Sequence, residues 1–591
     1  MMAAHVSVWL LAAALGQAPA QGTAGWMKAV PSEADVVVRC RGIASAAEDF
    51  KAMLKVASPN AAASFAPMID QFVDQWRKQG GVNLVDAPVV GLLRVEEAGP
   101  DGLPPFAILV MKDDYESVLK AVANRQVITT KAEDGGYDSF PSPAGAGAWY
   151  AFHGEGFTAF GPDRTLIAKV AKPDGGSPVA DPSPALATPF RGGDLGIFVN
   201  AERLVGRYDQ RIDQNRQALM AALDQAAKAA PNGASMGAVK DMYGRAFDAL
   251  KTTRRLAFNL DFAASGVRIA GRLEAKPAAD AKAAEAVGTV SADLAKLDPG
   301  AAFYMYMNMP ADVIQSWQNL SLRMLSPAGK PTPELAKAME RFKAVGKVET
   351  IGSAAMADGM RTFNVSTAKD PKALVEASEA MLQAMKDTNS PYNVYKDVKV
   401  ERDAKKHGGM SFTRVTAEFD MDKIAKLGQG GGNADQIKAI LGGDSMSYWI
   451  GADGQRVIQV TAPTWEEAEA RLDRFDKGES TVGALAGFQQ VRSELADRAS
   501  LLMIVSGQGL ARMLAAQMAA TMKRPELKDP AGLPAEPAFF GGSLTPAGPG
   551  GYDFRISLPS AMGPIVEKAM SVGIESKPVP PRLDAKPQLP R

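Results

Sequence analysis

The sequence predicts an α+β fold of two similar halves, each an antiparallel or mixed sheet with helices on one face. Three observations carry this. Asp358-Gly359 and Asp453-Gly454 each join two alternating apolar segments, and such a pair supplies the positive φ that a tight hairpin turn needs. Each hairpin runs into a helix start, Asp370-Pro371 after the first and Pro463-Thr464-Trp465-Glu466 after the second. The order of units over residues 31–296 recurs over 297–575, which reads as an internal duplication.

In chain order, Val6 to Leu15 is a ten-residue apolar run, too short for a bilayer-spanning helix of about 20 residues. Ala18-Pro19-Ala20 follows as a small-x-small cleavage pattern, so residues 1–20 read as a secretory signal peptide, although its start carries no Lys or Arg. Ala34-Asp35-Val36-Val37-Val38 opens the first strand-helix unit, and Cys40 sits at its end as a small strand residue. Later units of this kind begin at Gly193-Asp194, Ala301-Ala302 and Ala499-Ser500. Ala46–Gln79, Glu202–Ala230 and Ala311–Leu325 read as the main helices, the first with Phe65, Ile69, Phe72 and Trp76 on one apolar stripe. Further hairpins pair Val89–Val95 with Phe106–Met111, Ala148–Phe152 with Phe157–Phe160, Leu256–Phe262 with Val267–Leu273, and Phe539–Leu544 with Tyr552–Leu558. Segments 172–189, 426–433 and 523–537 are rich in Pro or Gly and read as irregular connections. Residues 576–591 read as a disordered Pro-rich tail.

Composition narrows the chemistry. The 591 residues carry 66 Lys+Arg against 66 Asp+Glu, which excludes a polybasic nucleic-acid binder. One cysteine precludes an intrachain disulfide, and three histidines leave little for a zinc site or a histidine general base. No transmembrane helix is expected once the signal segment is removed.

Several strings invite a chemical reading. Gly428 to Gly432 lacks the Gly-Lys-Ser/Thr ending of a phosphate loop. Ser117 to Lys120 and Ser366 to Lys369 match S-x-x-K without the companion motifs of acyl-serine enzymes. His407-Gly408-Gly409 and His153-Gly154 read as hairpin turns, and Asp420-Met421-Asp422 as a helix cap. Met305, Met307 and Met309 project to one face of a strand, where they either fill a core or offer soft ligands to Cu(I). No catalytic, cofactor-binding or metal residue is assigned, and no cofactor is implied.

Pro31-Ser32-Glu33-Ala34-Asp35-Val36 and the apolar strand leading into Lys112-Asp113-Asp114-Tyr115 resemble an uncharacterised family of large exported bacterial α+β proteins. The resemblance implies export and repeated hairpin-helix units. It implies no activity. The expectation is a non-enzymatic exported protein, periplasmic or extracellular, that binds or scaffolds in the periplasm or cell envelope. The alternatives are a carrier of an apolar or lipid-like ligand and a carboxylate- or metal-dependent enzyme.

Overall fold

The computed structural model describes residues 25–568 apart from 81–85, 96–103, 113, 124–129, 143–146, 174–175, 181–183, 230–234, 277–286, 310–331, 357–358, 387–393, 429–437, 439–440, 523–531 and 549. The proposed signal segment, the helix expected over 311–325 and the Pro-rich tail lie outside these residues.

The described strands are Val36–Cys40 (β1), Val89–Leu93 (β2), Phe106–Val110 (β3), Lys131–Ala132 (β4), Asp138–Pro141 (β5), Ala148–Gly154 (β6), Phe157–Gly161 (β7), Leu195–Val199 (β8), Thr253–Ala263 (β9), Gly266–Ala275 (β10), Phe303–Met309 (β11), Val348–Ala355 (β12), Arg361–Ala368 (β13), Tyr395–His407 (β14), Met410–Phe419 (β15), Ser445–Ala452 (β16), Arg456–Thr461 (β17), Leu501–Ser506 (β18), Phe539–Pro546 (β19) and Gly551–Pro559 (β20). They form one sheet in the order β4-β5-β6-β7-β3-β2-β1-β8-β9-β10-β20-β19-β18-β11-β12-β13-β17-β16-β15-β14. Every one of these pairings is antiparallel, so the mixed alternative is set aside. The sheet passes unbroken from the first part of the chain to the second through β10 and β20.

Turn chemistry explains the hairpins. Gly266, Gly408, Gly409 and Gly454 all have positive φ. Side-chain caps then start the helices that follow: Asp163 accepts from the N–H of Thr165 at 2.8 Å, Asp370 from Ala373 at 2.9 Å and Thr464 from Glu467 at 3.3 Å. The outer edge strand β14 is thirteen residues long, and its charged sequence, two register shifts and positive φ at Asp403 discourage pairing with another chain.

The helices correct three expectations. Segment 46–79 is two helices, Ile43–Ala57 and Pro59–Gly80, because Pro59 pushes Ser58 out of the helical region. On the second helix Ile69, Phe72 and Val73 meet the core, whereas Phe65 is 51% exposed. The stripe is displaced toward Val73, and the side chain of Trp76 lies outside the described set. Within 172–189 a helix, Pro184–Arg191, forms with proline at its first position.

Helices also cover more than one face. One face carries Phe198, Ala257, Tyr304, Tyr306 and Phe539, all essentially buried. In the first part of the chain it packs against helices Arg164–Ala171 and Pro184–Arg191, and in the second against Trp465–Lys477 and Ala486–Glu494. Among the described residues, the opposite face is buried most fully at its wings. There Ile43–Ala57, Pro59–Gly80 and Tyr115–Val122 cover β1, β2, β3 and β7, while Pro371–Lys386 and Met421–Gly428 cover β15, β16 and β17. Cys40 is fully buried within the first wing.

Two aspartates at strand starts are buried structural anchors. Asp35 accepts from the N–H of Val95 at 2.8 Å and pairs with Arg203 at 3.0 Å and Arg207 at 2.6 Å. Asp194 accepts from the N–H of Phe262 at 2.6 Å and faces Arg41 at 3.0 Å. Burial pushes the Asp194 carboxyl up, against the opposing pull of the Phe262 N–H and Arg41, with Asp261 and Asp49 adding to the push. A raised folded-state value means that the folded protein holds this proton more tightly. The stability contributed is therefore full below the unfolded carboxyl range, near 3.9, and is lost as pH rises through the folded value. The melting temperature of wild type relative to Asp194→Asn should accordingly fall between acid and neutral pH. A difference that rises with pH would contradict this account of the group.

Candidate ligand-binding face

Directly paired residues project to the same side of a sheet, so register defines what lies on the partly open face. One row runs Leu195, Leu260, Ile269, Ile556, Gly542, Met503, Met305, Gly352. A parallel row runs Ile197, Phe258, Gly271, Phe554, Leu544, Leu501, Met307. Neither row contains a charged residue. From Leu260 to Met305 the first row crosses five inter-strand steps, about 24 Å at a spacing of about 4.8 Å.

The centre of this face is open. Met503 is 47% exposed, Tyr552 41%, Ile556 36% and Leu558 41%. Helix Ile43–Ala57 reaches one end of β9, where Phe50 meets Phe262 edge to face at 5.4 Å. At the other end Glu202, at the start of helix Ala201–Ala229, pairs with Arg254 at 3.2 Å. Between them Leu256, Phe258 and Leu260 are half-buried. Phe554 lies over Gly271, where a Cβ would come within 2.3 Å of its ring, but at Gly542 the nearest atoms to a Cβ stand at 3.5 and 3.9 Å. A shallow groove therefore remains between Ile556 and Met503.

The reverse side of the same strands is charged. Arg272 pairs with Asp553 at 3.1 Å, Arg268 pairs with Asp261, and Arg555 is exposed. A half-solvated antiparallel sheet ordinarily turns its polar side to water. Here water reaches the apolar side as well, and contiguous exposed apolar surface marks interaction sites.

No family model, curated protein or solved structure matches the chain. The face must therefore be read from its own chemistry.

The sequence strings with possible chemistry scatter over the fold. Ser117 lies in the first turn of its helix under the cap of Asp114, with Lys120 exposed, and Ser366 on β13 shares a 2.9 Å hydroxyl contact with Thr350 on β12. His407 closes the β14–β15 hairpin, 3.5 to 3.7 Å from Glu469, Asp473 and Asp476. His153 is exposed and stacks on Tyr115 at 5.4 Å. Asp420 caps the helix Met421–Gly428, accepting from the N–H of Lys423 at 3.0 Å. Gly428 ends that helix, and Gly430 to Gly432 lie outside the described residues. Met305 and Met307 are half-buried on the open face, and register adds Met503 opposite Met305, a neighbour that sequence spacing does not reveal. Among the described residues no group of three or more His, Cys, Asp or Glu is placed to hold a metal, and no helix is long and apolar enough to cross a membrane. A separate cavity of about 410 Å³ opens between Val56, Gln490, Glu536, Phe539, Pro559 and Pro564, at the end of β20.

Proposed function

We propose that this chain is an exported binding protein that takes an apolar, chain-like ligand across the open face of its sheet. The observation that carries the reading is the uncharged row from Leu260 to Met305, with Ile556 and Met503 exposed at its centre. Export rests on the apolar run and small-x-small pattern at residues 6–20. Met305 and Met503 suit such a surface, because flexible thioether side chains adapt to irregular apolar partners.

We propose further that the face arose by joining two equivalent halves edge to edge. Strands β1 to β10 run β4-β5-β6-β7-β3-β2-β1-β8-β9-β10, and adding ten to each number gives the order of β11 to β20. The pairings support the same reading: Val38 opposes Gly91 and Ile197, as Met305 opposes Gly352 and Met503. The joining strands meet about Ala270 and Arg555, with residues on either side paired as a two-fold axis requires. On this reading the groove lies beside the local axis, where neither half alone offers a complete row.

Native mass spectrometry of the full chain, purified without detergent, tests the binding. The expected spectrum carries an apolar adduct, or acquires one on incubation with a twelve-carbon amphiphile such as laurate, which organic extraction removes from the folded protein. A spectrum free of ligand under both conditions would overturn the proposal. A concentration-dependent dimer with no adduct would assign the face to a second copy of the chain instead.

A further inference from the structure

We infer that the ligand is an amphiphile whose uncharged polar head, bearing hydroxyl or amide groups, is held by Asn364 and Gln459; this rests on the binding reading above.

The apolar row does not end at Met305. Register carries it through Gly352 to Asn364 on β13 and Gln459 on β17. The carboxamide of Asn364 leans back over Gly352, where a Cβ would stand 2.1 Å from its Oδ1. Glycine at this position thus makes room for a polar group next to Met305. Among the described residues neither carboxamide is joined by a hydrogen bond, and both side chains are half-buried. The hydroxyls around them are already matched to each other, Thr350 with Ser366 at 2.9 Å and Thr362 with Thr461 at 2.7 Å. Two primary amides therefore present four N–H donors and two carbonyl acceptors at the end of an apolar track.

The equivalent positions in the first half sharpen the contrast. There the row from Val38 passes through Gly91 to Ile108 and Phe160, both buried in the wing core. On the proposed duplication, one copy has packed this site with hydrocarbon and the other has placed two amides there. No cation or carboxylate stands on this face in β11, β12, β13 or β17 among the paired residues, so these strands offer a phosphate, carboxylate or ammonium head no opposite charge. Hydroxyls or an amide would find both donors and acceptors.

Isothermal titration of the full chain with monolauroylglycerol, dodecyl maltoside and laurate, each below its micelle concentration, holds the tail at twelve carbons and varies the head. The two neutral heads should bind about tenfold more tightly than laurate, the effect of a few hydrogen bonds. The glycerol and sugar arms show which hydroxyl source fits better. Asn364→Leu with Gln459→Met should abolish the preference by weakening both neutral ligands about tenfold, and each single variant should reduce it in part. Equal affinity of wild type for all three ligands would overturn the inference, as would variants that keep the preference, and the binding reading would survive both. Absence of binding by any of the three would instead remove the reading on which the inference rests.

Discussion

Tyr304→Ala should lower the unfolding free energy by about 3–5 kcal/mol, the range for truncating a large buried aromatic side chain. Tyr304 is fully buried on β11, with the rings of Phe488 and Phe539 at 5.6 and 6.1 Å. Its hydroxyl donates to the carbonyl of Asp298 at 2.8 Å, and burial pushes its pKa upward. Loss of the ring opens a cavity among Tyr304, Phe488 and Phe539 that a sheet and a helix pinned by their own neighbours fill only in part. Tyr304→Phe keeps the ring and removes one hydrogen bond, so it should cost about 1 kcal/mol. Urea denaturation of the three proteins measures both differences. An alanine variant within 1 kcal/mol of wild type would mean that this aromatic cluster does not hold the covered face together.

The second large effect is on binding with little effect on stability. Met503→Glu combined with Ile556→Glu should weaken binding of a twelve-carbon amphiphile by about 100-fold or more, because each carboxylate would have to be desolvated against hydrocarbon. Both side chains are already in contact with water, at 47% and 36% exposure, so the melting temperature should move little. Tyr243→Glu serves as the control. It is 39% exposed on helix Ser235–Thr252, outside both apolar rows, and should leave binding unchanged. Equal losses in the control and the double variant would point to a general effect of charge, and full retention in the double variant would move the ligand elsewhere.

Much of the strand content was legible because turns announce themselves. Ser265-Gly266, Asp453-Gly454 and His407-Gly408-Gly409 need positive φ, and the caps Asp163, Asp370 and Thr464 mark where each following helix starts. The His407-Gly408-Gly409 turn implies a strand before it, but the thirteen-residue extent of β14 escaped because its charges break the alternation that a half-buried strand displays, and an edge strand has no second neighbour to enforce it. The helix Pro184–Arg191 escaped because its two prolines read as loop composition, although proline at a first turn costs no hydrogen bond. The covering of both faces at the wings was hidden for a different reason: alternation reports that one side of a strand is apolar, whereas β3 and β7 are buried on both sides. The groove itself was illegible. Leu260, Ile556 and Met503 become neighbours only through the β10–β20 pairing, and no local pattern encodes a register between strands nearly three hundred residues apart. Asn364 and Gln459 likewise read as ordinary polar strand residues until the register placed them at the end of the apolar row.

The most direct test of the open face is to find where a bound chain lies. A lauroyl amphiphile with a diazirine near the end of its tail, photolysed on the full-length protein and mapped by peptide mass spectrometry, should label segments 256–262, 267–273, 501–505 and 552–558, and unlabelled monolauroylglycerol should compete. Labelling confined to the cavity around Val56, Phe539 and Pro564, or spread over the helices without competition, would contradict the assignment of this face as the binding surface.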